Sequence, residues 1–149
     1  MHRKKLIAAL PCRNNGSRLY GKPLQNLDVE KGLTVLDFII SYLKNMPIID
    51  GIVLGISEGE DNLVYKDIAK KHDISFIVGS EKDVLYRLIE CGEHLDATDV
   101  YRMSTESPFP YFEIVDLAWS NHKKNNFDFT HLDNVPDGSG IEICLLYTS

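Results

Sequence analysis

The sequence predicts a three-layer α/β domain in which helices cover both faces of a mostly parallel sheet. Three observations carry this. Short β-rich runs alternate with amphipathic segments at a spacing that suits β–α–β units. The first run, residues 5–11, is a continuous apolar stretch, as a strand buried on both faces is. The chain has 149 residues, of which 44% are hydrophobic and 26% charged, enough for one domain with a buried core and short for two.

After the strand over 5–11, Asn14-Asn15-Gly16-Ser17 reads as a loop and Tyr20-Gly21-Lys22-Pro23 as a turn. Leu33, Leu36, Ile40 and Leu43 fall at helical spacing over 33–46, and Pro47 ends that helix. A second strand is expected over 51–57. A second helix follows over 63–72, with Leu63, Ile68 and Ala69 facing inward. Residues 74–78 and 82–95 make the third strand and helix, and 99–104 and 110–121 the fourth pair. Phe112, Leu117 and Trp119 are expected in the core. Residues 127–132 alternate Phe, Asp, Phe, Thr, the pattern of a strand with one wet face. Ligands bind such sheets outside the carboxyl ends of the strands, which directs attention to residues 12–22, 79–87 and 104–108.

Charge narrows the function. The net charge is −6, which argues against a nucleic-acid partner. Residues 1–27 nevertheless hold six basic side chains and no acid, so a basic head sits on an acidic body and points to one local anion site. No apolar stretch approaches the ~18 residues that span a bilayer, so no membrane partner is expected. The apolar run after Lys5 stops at Pro11, below signal-peptide length, and the expected location is cytoplasmic. Three cysteines make no disulfide framework. The five histidines show no metal-type spacing, and His131 reads most simply as solvated.

The segment carrying most chemistry is Pro11-Cys12-Arg13-Asn14-Asn15-Gly16-Ser17-Arg18-Leu19-Tyr20-Gly21-Lys22-Pro23-Leu24. Backbone N–H groups of a Gly/Asn-rich loop at a strand end can point at phosphate oxygens, while Arg13, Arg18 and Lys22 supply opposing charge. Gly16 and Gly21 permit the backbone turns such wrapping needs. It is neither a Walker A loop nor a dinucleotide fingerprint. The physical reading is a site for a nucleoside triphosphate.

The pattern R-x-x-x-S-R-L-x-G-K-P-L after a first strand resembles the cytidylyltransferases, and most of all the spore-coat polysaccharide type. Gly79-Ser80-Glu81-Lys82-Asp83-Val84-Leu85-Tyr86-Arg87 and Pro136-Asp137-Gly138 follow in the family's order. The resemblance implies a Rossmann-like sheet of the nucleotide-diphospho-sugar transferase (GT-A-like) kind. It also implies transfer of CMP from CTP to a small sugar acid, sialic-acid-like or 3-deoxy-octulosonate-like, with Mg²⁺ and release of pyrophosphate, by a homodimer. An acceptor such as a polyol phosphate, or a nucleotide-binding protein without catalysis, fits the same residues.

By position, the resemblance makes Arg13 and Lys22 catalytic. It assigns Pro11, Arg13, Asn14, Gly16, Ser17, Arg18, Lys22, Ser80, Asp83, Arg87 and Arg102 to the nucleotide. Asp83 and Arg87 lie one helical turn apart, which suits either a nucleotide contact or a helix N-terminal acid with an i,i+4 ion pair. Glu106 in Arg102-Met103-Ser104-Thr105-Glu106-Ser107-Pro108 stands where relatives carry a metal-binding aspartate, and it is the expected metal ligand. Asp137, Gly138 and Glu142 resemble the stretch that lines the sugar side. Cys144-Leu145-Leu146-Tyr147-Thr148-Ser149 resembles the translation of a sequencing-library adaptor. On that reading, residues 1–143 are the N-terminal portion of one cytidylyltransferase domain and 144–149 a scar. A strand continuing Ile141-Glu142-Ile143 fits the same residues.

Overall fold

The computed structural model describes residues 3–14, 21–107, 109–136 and 139–146. Strand β1 (Leu6–Cys12) sits at the centre of the sheet because its side chains are apolar on both faces, and Leu6 to Leu10 are all fully buried. It pairs in parallel with β4 (Gly51–Ser57) on one side and β6 (Asp99–Arg102) on the other. Strand β5 (Ser75–Gly79) extends the parallel part beyond β4. Strand β8 (Glu142–Leu145) runs antiparallel beside β6, and β7 (Phe129–His131) closes that edge, giving the order β5-β4-β1-β6-β8-β7. A small ribbon, β2 (Asn26–Asp28) with β3 (Leu33–Thr34), precedes the first helix.

Alternation along β1 sorts the core into two. Leu6, Ala8 and Leu10 face helices α1 (Val35–Lys44), α2 (Val64–His72) and α4 (Val115–Lys124), whose Leu36, Ile40, Tyr65, Ala69, Val115 and Trp119 complete the larger cluster. Ile7 and Ala9 face α3 (Val84–His94) through Leu88 and Cys91. The expected three-layer, mostly parallel architecture is the one found.

Several boundaries differ for local reasons. Leu33 pairs in the ribbon, and α1 starts after Thr34, whose hydroxyl accepts from the Asp37 N–H in a capping box. The second helix turns Tyr65, not Leu63, into the core; Leu63 is 50% exposed at the helix entrance. Leu117 is 59% exposed, because α4 buries Val115, Ala118, Trp119 and His122 at helical spacing instead. Strand β8 runs on through Cys144 and Leu145, and Leu146 packs against the α3 cluster.

Two buried carboxylates are fully engaged. Asp99 at the amino end of β6 receives His122 Nε2 at 2.8 Å, the Thr98 hydroxyl at 2.6 Å and Lys4 Nζ at 3.5 Å, while His122 Nδ1 meets Thr130 Oγ1 at 2.7 Å. Asp37 ties α1 to α2 through His72 Nε2 at 2.6 Å and Lys71 Nζ at 3.3 Å. Burial pushes the Asp37 carboxyl up, yet hydrogen bonds from His72, Thr34 and Lys71 outweigh it and hold its pKa below the ordinary aspartate value. A depressed folded-state pKa adds stability above the unfolded value, near 3.9, and that stability is lost as pH falls through the folded value. Urea midpoints of the parent and Asp37→Asn should therefore differ by a constant amount above about pH 5 and converge as the pH drops below about 4. A gap unchanged down to acid pH would contradict this assignment.

Candidate active site

The carboxyl ends of β1 and β6 open into a cavity of about 500 Å³, walled on the far side by the start of β8 and the end of β7. Pro11, Arg13, Arg87, Arg102, Glu106 and Glu142 line it, so the fold brings together six of the residues singled out from sequence. The loop after β1 closes where the Gly21 N–H donates to the Asn14 carbonyl at 2.8 Å, with Gly21 at φ 66°, a conformation glycine adopts readily. Lys22 follows at once in a short 3₁₀ turn (Lys22–Leu24), and its Nζ lies 3.6 Å from Glu106 Oε2 at the cavity wall. Thr105 fixes the opposite loop to the end of β1, donating to the Pro11 carbonyl at 2.7 Å.

Arg87 is the unusual group. It is 1% exposed, yet it lines the cavity. Its stem passes over two glycines: a Cβ on Gly79 would lie 3.1 Å from Arg87 Cγ, and one on Gly55 would lie 3.5 Å from the same atom and 2.9 Å from Cys91 Sγ. Nη1 donates to the Ser80 carbonyl at 3.2 Å, while Nε has no hydrogen-bond partner among the described residues. Burial lowers its pKa from the ordinary arginine value, and the like charge of Arg13 acts in the same direction. A buried guanidinium that lines a cavity with one carbonyl as its partner is a place for an anion.

The other predicted residues divide. Asn14 is consumed structurally: Tyr65 donates to its Oδ1 at 2.7 Å, its Nδ2 donates to the Asp61 carbonyl, and its N–H donates to Asn62 Oδ1. Asp83 caps α3, accepting from the Tyr86 N–H at 2.9 Å, and makes no ion pair with Arg87 among the described residues. Ser80 orients that turn, its hydroxyl accepting from the Asp83 N–H at 3.1 Å, and neither Ser80 nor Asp83 lines the cavity. Arg102 pairs with Glu142, Nη1 to Oε2 at 3.2 Å, which places it beside the sugar-side residue. Gly16, Ser17, Arg18, Asp137 and Gly138 lie outside the described residues. Cys12 is buried, and burial pushes its thiol far above the ordinary range; Cys91 is likewise pushed up to about 12. Neither suits a nucleophile.

Sequence reasoning discounted His131, which lines the cavity. Its register opposite Glu142, on the far side of that residue from Arg102, depends on strand pairings that no local pattern reveals. Thr105 was likewise passed over, since only its reach to β1 shows its work.

Among the described residues, no group of three or more His, Cys, Asp and Glu side chains could hold a metal ion by itself. Glu106 does present one hard carboxylate at the cavity wall, and Mg²⁺ is commonly held by one or two carboxylates together with substrate phosphates. The donor set therefore fits a metal that arrives with a polyphosphate. No described helix is long and apolar enough to cross a membrane.

No family model matches the chain. An uncharacterized protein of Methanocaldococcus jannaschii is 26% identical over 140 residues, 93% of this chain and 56% of that protein. The spore coat polysaccharide biosynthesis protein SpsF of Bacillus subtilis is 25% identical over 137 residues, 89% of this chain and 56% of that protein. The chain thus spans about half the length of the curated relatives it matches.

Among solved structures, a cytidylyltransferase from Leptospira borgpetersenii superposes with a TM-score of 0.84 at 23% identity, covering 97% of this chain and 61% of that one. A CMP:2-keto-3-deoxy-manno-octonic acid synthetase complexed with CTP gives 0.70 at 14% identity, over 85% of this chain and 51% of that one. The 4-diphosphocytidyl-2C-methyl-D-erythritol synthase of Anaerococcus prevotii gives 0.65 at 18% identity, over 96% and 70%. The fold is the one that these solved structures share. The resemblance is to the cytidylyltransferase family, and it extends over nearly the whole chain.

Two substitutions separate packing from charge at this site. Arg87→Met keeps an aliphatic stem across the glycines and removes a buried charge, so its unfolding free energy should stay within about 1 kcal/mol of the parent or rise. Gly55→Ala forces a methyl against Cys91 and should cost about 1–3 kcal/mol, read by the same denaturant titration. A collapse of Arg87→Met would mean that the guanidinium serves the fold and not a ligand.

Proposed function

We propose that this cavity binds CTP and belongs to a cytidylyltransferase that transfers CMP to a sugar acid and releases pyrophosphate. The observation that carries the proposal is the buried Arg87 guanidinium, which lines the cavity with Arg13 and with Glu106, the partner of Lys22. Arg13 and Arg87, from two segments of the chain, line the cavity where the sheet's topology favours nucleotides, and Lys22 reaches its wall through Glu106. The sequence order shared with a spore coat polysaccharide protein, and the fold shared with a synthetase complexed with CTP, support cytidine as the base.

In this reading, Arg13 and Arg87 hold the phosphates and exclude water from one side of them. Lys22 leaves Glu106 to neutralise charge building on the departing pyrophosphate, a stabilisation realised chiefly in the transition state. An acceptor oxygen forms its bond to the α-phosphorus as the bond to the bridging oxygen breaks, and pyrophosphate leaves with that electron pair. The acceptor's hydroxyl proton passes to solvent or a basic group. Such a reaction asks the protein mainly for positioning and charge. Glu106 would hold Mg²⁺ together with the phosphates, and the ion would supply further neutralisation of the polyphosphate.

A second reading rests on the fold shared with the 4-diphosphocytidyl-2C-methyl-D-erythritol synthase, which favours a polyol phosphate as acceptor. Pyrophosphate release from CTP in the presence of either acceptor class decides between them. CTP uptake with no release from any acceptor would mark a nucleotide-binding protein without catalysis. Where release occurs, Lys22→Ala should cut kcat/KM by about 100-fold or more, the scale of losing one preorganised charged donor. Glu106→Gln should raise the Mg²⁺ concentration needed for half-maximal rate. Undiminished release by Lys22→Ala would remove that residue from the mechanism.

A further inference from the structure

The antiparallel edge of the sheet carries polar groups that a triphosphate cradle does not use. Strands β6, β8 and β7 place Arg102, Glu142 and His131 in one cross-strand row, and all three line the cavity. Directly opposed residues on adjacent strands share a face with Cβ atoms about 4.5–5.5 Å apart. Glu142 is the middle member, already 3.2 Å from Arg102. His131 is held from two sides. Its Nδ1 lies 3.2 Å from Asp133 Oδ1, and its ring stacks on Phe129 with centroids 5.3 Å apart.

An ionised carboxylate only accepts, so the ring nitrogen facing Asp133 suits the N–H, and Nε2 is the nitrogen placed to accept. Nε2 has no partner among the described residues. The row therefore offers an accepting nitrogen, an accepting carboxylate and a guanidinium in sequence. That set matches a polyhydroxylated carboxylic acid, whose hydroxyls donate and whose carboxylate accepts. A phosphate dianion in the same place would face Glu142 with twice the like charge.

We propose that His131, oriented by Asp133, is a specificity-determining residue of the acceptor subsite, accepting a hydrogen bond from an acceptor hydroxyl through Nε2. Glu142 takes a second hydroxyl and Arg102 the carboxylate. The inference rests on the CTP-and-sugar-acid reading of the cavity and adds to it the residue that reads the acceptor.

The test is a titration of the ¹⁵N-histidine-labelled chain, first with CTP and Mg²⁺, then with 3-deoxy-manno-octulosonate and N-acetylneuraminate as probes. Either sugar acid should move the His131 Nε2 resonance. His131→Ala should weaken sugar-acid binding at least about 5-fold while leaving CTP affinity within about twofold, the effect of deleting one hydrogen bond from one subsite. Asp133→Asn should shift the His131 tautomer balance in the ¹⁵N spectrum, which a purely structural Asp133 would not do. Sugar-acid binding with His131 unmoved, equal affinity in His131→Ala, or no sugar-acid binding by a chain that takes up CTP would each overturn the assignment. Failure to bind CTP would instead refute the nucleotide reading beneath it.

Discussion

A guanidinium placed almost wholly out of water constrains the arrangement of this sheet more than any other single group. Arg87 starts on α3, the helix that covers one face, and reaches the carboxyl ends of the central strands by lying flat across β4 and β5. That path exists because Gly55 and Gly79 leave no Cβ in the way. Moving a charge out of water costs several kcal/mol unless partners compensate. One contact, to the Ser80 carbonyl, offsets part of this, and the buried Nε has no hydrogen-bond partner among the described residues. Arg13 lines the same cavity, and the Lys22–Glu106 pair stands at its wall.

The contrast with the other buried ionisable groups makes the point physical. Asp99 and His122 are as deeply placed as Arg87, but they saturate one another together with Thr98, Lys4 and Thr130 at the amino end of β6. Asp37 is saturated by Thr34, His72 and Lys71 between α1 and α2. These networks join segments distant in sequence and leave no capacity for a ligand. Arg87, by contrast, reaches the carboxyl end of the parallel sheet, where open α/β sheets bind their ligands. An unpaired buried atom alone does not mark a site, since the Tyr101 hydroxyl in the core also has no partner among the described residues; Arg87 differs in carrying charge and in lining the cavity.

Much of the architecture was legible because it rests on local pattern. The continuous apolar run of β1, the helical spacing of Leu36, Ile40 and Leu43, and the loop glycines each declare an element on their own. What escaped was set by tertiary context. Leu63 and Tyr65 both suit an inward helix position, and the entry angle of α2 buries the second. His122 looked incidental because its partners Asp99 and Thr130 are brought to it by strands. Pro11, Arg13, Lys22, Arg87 and Glu106 stand out in the sequence by their places near strand ends and in the family's order, and the fold brings Pro11, Arg13, Arg87 and Glu106 to one cavity. That Asn14 also braces the loop and Asp83 also caps a helix needed geometry, since both residue types serve binding and capping equally well.

The central claim is that the Arg87 guanidinium at the cavity wall binds a phosphate of CTP. A crystal structure of the chain grown with CTP and Mg²⁺ tests it most directly. The account predicts nucleotide density in the cavity between Arg13 and Arg87, with a phosphate oxygen within hydrogen-bond distance of the Arg87 guanidinium. CTP bound elsewhere, or bound with no phosphate contact to that guanidinium, would contradict it.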